Sequence, residues 1–245
     1  MKPVAIIRTS PSEGPAYFAT YLEGRSVPLE LVALDRGDAV PRDARRYSGL
    51  CFMGGPMSVN DDLPWIAPAL ELIREAVRKD VPVIGHCLGG QLMSKALGGV
   101  VGPSPVREMG WGEVRVCDNS VARAWLGELS AFESFHWHGE TFSIPPGATR
   151  ILENDHCANQ AFAIGPHLGM QCHVEMTVPM IESWLKGKEH EHALAARAAG
   201  NDAGRSAGVQ SAEEIRRDIG RRVEALHAVA DRLYERWTLA LSEGD

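Results

Sequence analysis

The residue best suited to chemistry in this 245-residue chain is Cys87. It lies in Val81-Pro82-Val83-Ile84-Gly85-His86-Cys87-Leu88-Gly89-Gly90-Gln91, where an apolar run gives way to a glycine-marked turn and then to a helical pattern. A strand–turn–helix with small residues two positions either side of a nucleophile is a nucleophile elbow, whose glycines permit a strained backbone and close approach of substrate. Free amides and the dipole at the helix N-terminus favour the thiolate over the thiol. A free thiol is mostly protonated at neutral pH, so such a nucleophile also needs a base. Taken alone, the same residues equally describe a buried cysteine at a strand end.

Two histidine pairs invite a metal reading. His136 and His138, in Phe135-His136-Trp137-His138-Gly139-Glu140, would share one face of a strand. No third ligand follows at motif spacing, so no metal is expected there. His190-Glu191-His192 falls in a polar, helix-like stretch and reads as a solvated face. Cys51, Cys117, Cys157 and Cys172 are most economically small buried apolar residues.

The elements that must position Cys87 follow from periodicity. Val4–Ile7, Leu29–Leu34, Leu50–Met53 and Val81–Ile84 are strand candidates. A helix is expected around Ala16–Leu22, another over Pro68–Lys79 with Leu70, Ile73 and Val77 on one face, and a third over Gln91–Leu97, ended by Gly98-Gly99. This alternation implies a mainly parallel sheet with helices on both faces. Further on, Val114–Val116, Glu133–Trp137, Gln160–Ile164 and Met170–Val174 read as short strands that make the sheet mixed. Residues 186–210 read as a short helix and a loop. Ser211 and Glu214 then form a capping box opening a helix that carries Ile215, Ile219, Val223, Leu226, Val229, Leu233 and Trp237 on one stripe. That stripe docks on the core or serves association, including self-association.

Composition bounds the partners. With 44% hydrophobic and 23% charged residues the chain is an ordinary globular one. A charge of −7 disfavours nucleic acid and anionic membranes, which need a basic footprint, but leaves room for a small charged ligand. No apolar stretch is long enough for a membrane span, and five widely spaced cysteines without a CxxC pair suit a reducing, cytoplasmic setting.

Gly85-His86-Cys87-Leu88-Gly89-Gly90-Gln91 fits the G-x-C-x-G-x-Q signature of class I, triad-type glutamine amidotransferases. Gln171-Cys172-His173-Val174-Glu175 resembles that family's Q-x-H-x-E segment, and Met53-Gly54-Gly55-Pro56 resembles its Gly-Gly-Pro oxyanion loop. The resemblance covers residues 1–185 and is greatest to the stand-alone group similar to the glutaminase domain of GMP synthase. It implies a flavodoxin-like mixed sheet, with residues 186–245 as a helical extension outside it. Val174 departs from the proline common at that position. In an extended segment it points away from His173 and Glu175, which still share a face.

The resemblance implies a Cys87–His173–Glu175 triad, backbone oxyanion donors at Gly55 and Leu88, and substrate contacts from Gln91, Gly54, His138 and Gly139, with Glu108-Met109-Gly110-Trp111 also near the pocket. It implies no metal or organic cofactor. The expected activity is cleavage of the γ-amide of glutamine through a cysteine thioester, giving glutamate and ammonia. No Walker-type loop occurs, and the stretch after Glu175 is too short for a synthetase domain, so any ammonia acceptor is expected on a separate partner. Alternatives are a γ-glutamyl peptidase acting on a γ-glutamyl conjugate and a non-catalytic regulatory protein on the same fold.

Overall fold

Val4–Arg8 (β1) is buried along its whole length, and its side chains alternate between two cores: Val4 and Ile6 enter one, Ala5 and Ile7 the other. Gly49–Phe52 (β3) and Val83–His86 (β4) behave alike, as strands covered on both faces must. In this computed structural model, which describes residues 1–200 and 204–241, these strands join Leu29–Ala33 (β2) in parallel pairing. His167–Met170 (β9) extends the parallel set beside β4.

Val101–Val116 (β5), Ala131–Phe142 (β6), Thr149–Glu153 (β7) and Ala161–Ile164 (β8) continue the sheet in antiparallel pairing, and Gly208–Val209 (β10) pairs parallel to β5. The ten-stranded order is β10-β5-β7-β8-β9-β4-β3-β1-β2, with β6 on β5. Ile66–Arg78 (α2) and Leu88–Ala96 (α3) cover one face. Ala16–Glu23 (α1), Ser120–Leu126 (α4), Val178–Trp184 (α5) and the C-terminal helix cover the other. The mixed, mainly parallel architecture is the expected one.

Several elements differ from expectation for identifiable reasons. The β5–β6 ribbon is far longer than its predicted fragments, because Pro103, Pro105 and the Arg107-Glu108 charges mask the pattern; a register shift between Pro103 and Glu108 absorbs the prolines. Strand β7 was not foreseen. The segment expected as a strand over Met170–Val174 leaves the sheet after Met170, and only an isolated bridge between Phe135 and His173 continues the pairing.

Lys188–Ala199 (α6) is the short helix expected, but His190 is not on a solvated face. It is 3% exposed, with Nε2 bonded to the Gln210 carbonyl at 2.8 Å. The expected loop includes residues 201–203, which lie outside the described residues. The capping box is present, yet it starts a separate short helix, Ala212–Arg216 (α7), before Ile219–Thr238 (α8). Trp111 Nε1 donates to the Ile215 carbonyl at 2.9 Å, occupying the acceptor that a continuous helix would use. The predicted stripe is buried against the sheet, with Ile219 at its edge. Among the described residues no helix is long and apolar enough to cross a membrane, and all five cysteines are free, Cys117 being only half-buried.

Packing around Cys87 leaves its neighbouring glycines no room for a side chain. A Cβ on Gly89 would lie 2.0 Å from the Phe52 carbonyl, one on Gly90 2.3 Å from that of Met170, and one on Gly85 2.4 Å from Gly89 itself. Gly89 and Gly90 therefore lie inside the first turn of α3, not in a turn before it, and admit strand backbone, while Gly85 lies in β4 and admits the backbone of that helical turn. Gly89→Ala should destabilise the protein by at least about 3 kcal/mol or prevent folding. The shift in denaturant midpoint against wild type measures this.

Candidate active site

Cys87 links β4 to α3 with φ +50° and ψ −106°, a region that side-chain-bearing residues rarely occupy. Its N–H donates to the Met170 carbonyl at 2.8 Å, and its own carbonyl accepts from Gln91 N–H at 3.0 Å. The strained residue is thereby held by β9 on one side and by α3 on the other. Its thiol lies 3.9 Å from the Trp137 carbonyl and accepts from Gln171 Nε2 at 3.5 Å.

His173 and Glu175 are brought to this point by the chain leaving β9. His173 N–H donates to the Phe135 carbonyl at 2.8 Å, and the Glu175 carbonyl accepts from Tyr17 N–H at 2.9 Å. Within this frame His173 Nδ1 bonds Glu175 Oε1 at 2.7 Å. The second ring nitrogen, Nε2, is buried without a partner, and the Trp184 ring packs edge-on against the imidazole. Burial pulls the His173 pKa down, but the Glu175 carboxylate and the Cys87 thiol outweigh it and raise it well above the ordinary histidine value. Burial likewise opposes ionisation of Glu175, yet His173 and His86 hold its pKa at about 2. Val174 sits in the core, so the residue replacing proline fills space there.

Behind the pair, His86 Nε2 lies 3.9 Å from Glu175 Oε2 and 3.1 Å from the Tyr234 hydroxyl of α8. The C-terminal helix thus reaches the carboxylate through one histidine.

Cys87 and His173 open into a cavity of about 230 Å³, also lined by Glu13, Gly55, Gln91, Arg107, Gly139 and Glu140. A larger groove of about 660 Å³ lies between the 34–42 loop and α2, but its lining holds no cysteine, serine or histidine. Gln91 borders the site, with Nε2 donating to Gln171 Oε1 at 3.2 Å. Gly55 has no room for a side chain, because a Cβ would fall 2.4 Å from Thr9 Oγ1 and 2.7 Å from Leu88 Cδ2, and this brings it against Leu88.

Other expectations are redirected. His138 borders the cavity, with Nδ1 bonded to the Glu140 carbonyl at 3.0 Å and Nε2 turned towards Glu108 at 3.1 Å. Gly54 lies behind the lining, its carbonyl accepting from Thr9 Oγ1 at 2.7 Å. Glu108 and Trp111 line a different cavity on the far side of β5.

Glu13, which no motif marks, is the residue that sequence reasoning missed. It is 8% exposed, its Oε2 has no partner, and a Cβ on Gly54 would sit 2.6 Å from that oxygen and 3.5 Å from His173 Cε1. Trp184 Nε1 fixes its loop by donating to the Ser12 carbonyl at 3.0 Å. Burial pushes the Glu13 pKa up to about 7; His173 counteracts, while Glu175 and Glu189 add to the rise. Its only sequence signal is a carboxylate in the loop after the first strand, a common occurrence.

A glutamine amidotransferase class-I family model matches residues 17–182. A solved glutamine amidotransferase from Methylobacillus flagellatus is 44% identical, with a TM-score of 0.89 over 99% of this chain and 96% of that one. The glutamine amidotransferase-like protein YfeJ of Salmonella typhimurium is 28% identical over 73% of this chain and 78% of its own length. The glutamine-hydrolysing GMP synthase of Vibrio vulnificus is 33% identical over 61% of this chain, but the match spans only 30% of that enzyme.

The Glu13 carboxyl has a definite consequence for stability. An acid whose native pKa lies above its unfolded value retains a proton in the fold, so stability falls as pH rises from about 4.5 to about 7 and stays reduced above that. Glu13→Gln should therefore raise the melting temperature at pH 8, by the equivalent of about 3 kcal/mol. The gain should shrink to nothing near pH 4.5. Parallel thermal melts across this range test it; an unchanged difference at all pH values would contradict the assigned ionisation.

Proposed function

Since this chain belongs to the class I glutamine amidotransferase family, we propose that it hydrolyses the γ-carboxamide of glutamine through a thioester on Cys87. The observation that carries this reading is the meeting of a strained, helix-capping cysteine with the hydrogen-bonded His173–Glu175 pair in one cavity.

The Cys87 thiol passes its proton to His173 Nε2, the ring nitrogen that has no other partner, as sulfur attacks the γ-carbon. Glu175 keeps the proton on Nδ1 and stabilises the imidazolium, which suits the elevated His173 pKa. The Leu88 N–H, at the first position of α3 with no partner four residues back, and the Gly55 N–H stabilise the oxyanion, a donor of this type being worth about 3 kcal/mol. The imidazolium returns its proton to the departing ammonia, and water activated by the neutral imidazole cleaves the thioester to glutamate. Also lining the cavity, Arg107 would supply a cation for the substrate α-carboxylate, and Glu140, which accepts from Ser58 Oγ at 3.1 Å, an anion for the α-ammonium. The matched part of GMP synthase is under a third of that enzyme, so any use of the ammonia for synthesis falls to residues outside the matched region or to a partner polypeptide.

Treatment with 6-diazo-5-oxo-norleucine should add one label at Cys87, suppressed by excess glutamine and absent in Cys87→Ala. Unlabelled wild type, with no glutamate released from glutamine, would exclude the glutaminase reading; preferential cleavage of a γ-glutamyl peptide would replace it with the peptidase alternative. Glu175→Gln should lower kcat at least about 10²-fold while Cys87 remains labelled.

A further inference from the structure

Strands β5 and β6 pair Glu108 with His138 and Gly110 with His136, which puts Glu108, His136 and His138 on one face of the ribbon. All three side chains are at least nine-tenths buried, and their donor atoms lie within 4.8 Å of one another. The third donor missing from the linear spacing of the two histidines thus comes from the neighbouring strand.

The outer hydrogen bonds decide which atoms face inward. A backbone carbonyl only accepts, so His138 carries its proton on Nδ1, donating to the Glu140 carbonyl at 3.0 Å. His136 carries its proton on Nε2, donating to the Gly112 carbonyl at 3.3 Å. The remaining nitrogens, His138 Nε2 and His136 Nδ1, have no hydrogen-bond partner. They direct lone pairs at the Glu108 oxygens from 3.1 and 3.9 Å. Those oxygens are themselves oriented by Asn154 Nδ2 at 2.6 Å and Gln160 Nε2 at 2.8 Å. Lone pairs converging on a buried carboxylate repel unless a cation lies between them. A second proton on His138 would relieve one nitrogen and leave that of His136 unpaired.

We infer that Glu108, His136 and His138 bind one divalent first-row transition-metal ion, with Zn²⁺ well suited to the donor set. Two neutral imidazoles and a carboxylate, each fixed by an outer hydrogen bond, form a donor set for such ions rather than for Ca²⁺ or Mg²⁺. Tetrahedral zinc with bonds near 2.0–2.1 Å places its donors about 3.3 Å apart, so small ring rotations close the site. Glu108 and His136 also line a cavity of about 290 Å³, which gives the ion a way in and room for a water as fourth ligand. The ion would pin β5 to β6. It would thereby hold the Glu140 carbonyl, which also accepts from Gln91 Nε2 at 3.5 Å, in place beside the Cys87 cavity. Its role is positional and independent of the glutaminase reading.

The test is metal content and binding in the full chain. After chelation and reloading with Zn²⁺, wild type and Cys87→Ala should each retain about one equivalent, and Glu108→Gln and His136→Gln should bind at least about tenfold more weakly. Substituting Co²⁺ in wild type should give the visible bands of a four-coordinate nitrogen–oxygen site without a thiolate charge-transfer band, a readout that stands even where a variant fails to fold. Retention below about 0.1 equivalent in wild type would overturn the inference. Undiminished binding by folded Glu108→Gln, or loss of the ion in Cys87→Ala, would do so too, the latter by placing the ion on the catalytic thiol.

Discussion

Backbone-to-backbone contact between the first turn of α3 and the sheet is the constraint on which the rest of this structure depends. Gly89 and Gly90 lie so close to the carbonyls of Phe52 and Met170 that no side chain fits. With the helix seated this deeply, the chain leaving β4 has a single residue in which to turn, and Cys87 takes the unfavourable conformation that results. The same seating points the free amides at the start of α3 towards the site and places Gln91 along the wall of the cavity. Cys87 is therefore positioned by helix–sheet packing more than by any contact of its own side chain.

A second layer ties distant parts of the chain to the His173–Glu175 pair. Two carboxyl groups near His173, those of Glu13 and Glu175, are treated in opposite ways. Glu175 has His173 and His86 beside it and stays ionised, whereas Glu13 lacks a hydrogen-bond partner for one oxygen and holds its proton to about 7. Such a divergence between neighbouring carboxyls is characteristic of sites that manage protons. His86 passes the influence of Glu175 outwards to Tyr234, so the C-terminal helix is part of the architecture behind the carboxylate.

What was legible in the sequence depended on short-range pattern. The buried strands β1, β3 and β4 announce themselves as apolar runs, α2 and α8 by their periodicity, and the elbow by glycines around a cysteine. The β5–β6 ribbon was visible only in fragments, because prolines and charges interrupt an alternation that cross-strand pairing tolerates. The break between α7 and α8 was invisible, since it depends on a hydrogen bond from Trp111, a hundred residues away in the chain. His190 looked solvated because its neighbours are charged, and only the position of Gln210 shows that it is buried.

By itself, the sequence determined the alternation of strands and helices, the candidate nucleophile and the family resemblance that points to its proposed partners, because each rests on residues a few positions apart. Tertiary structure alone decided that Glu13 stands beside His173, that Tyr234 reaches His86, and that Glu108 completes a cluster with His136 and His138. These groups are separated by tens to hundreds of residues. Sheet register and helix docking, which are long-range properties of the packed chain, bring their side chains within a few ångströms.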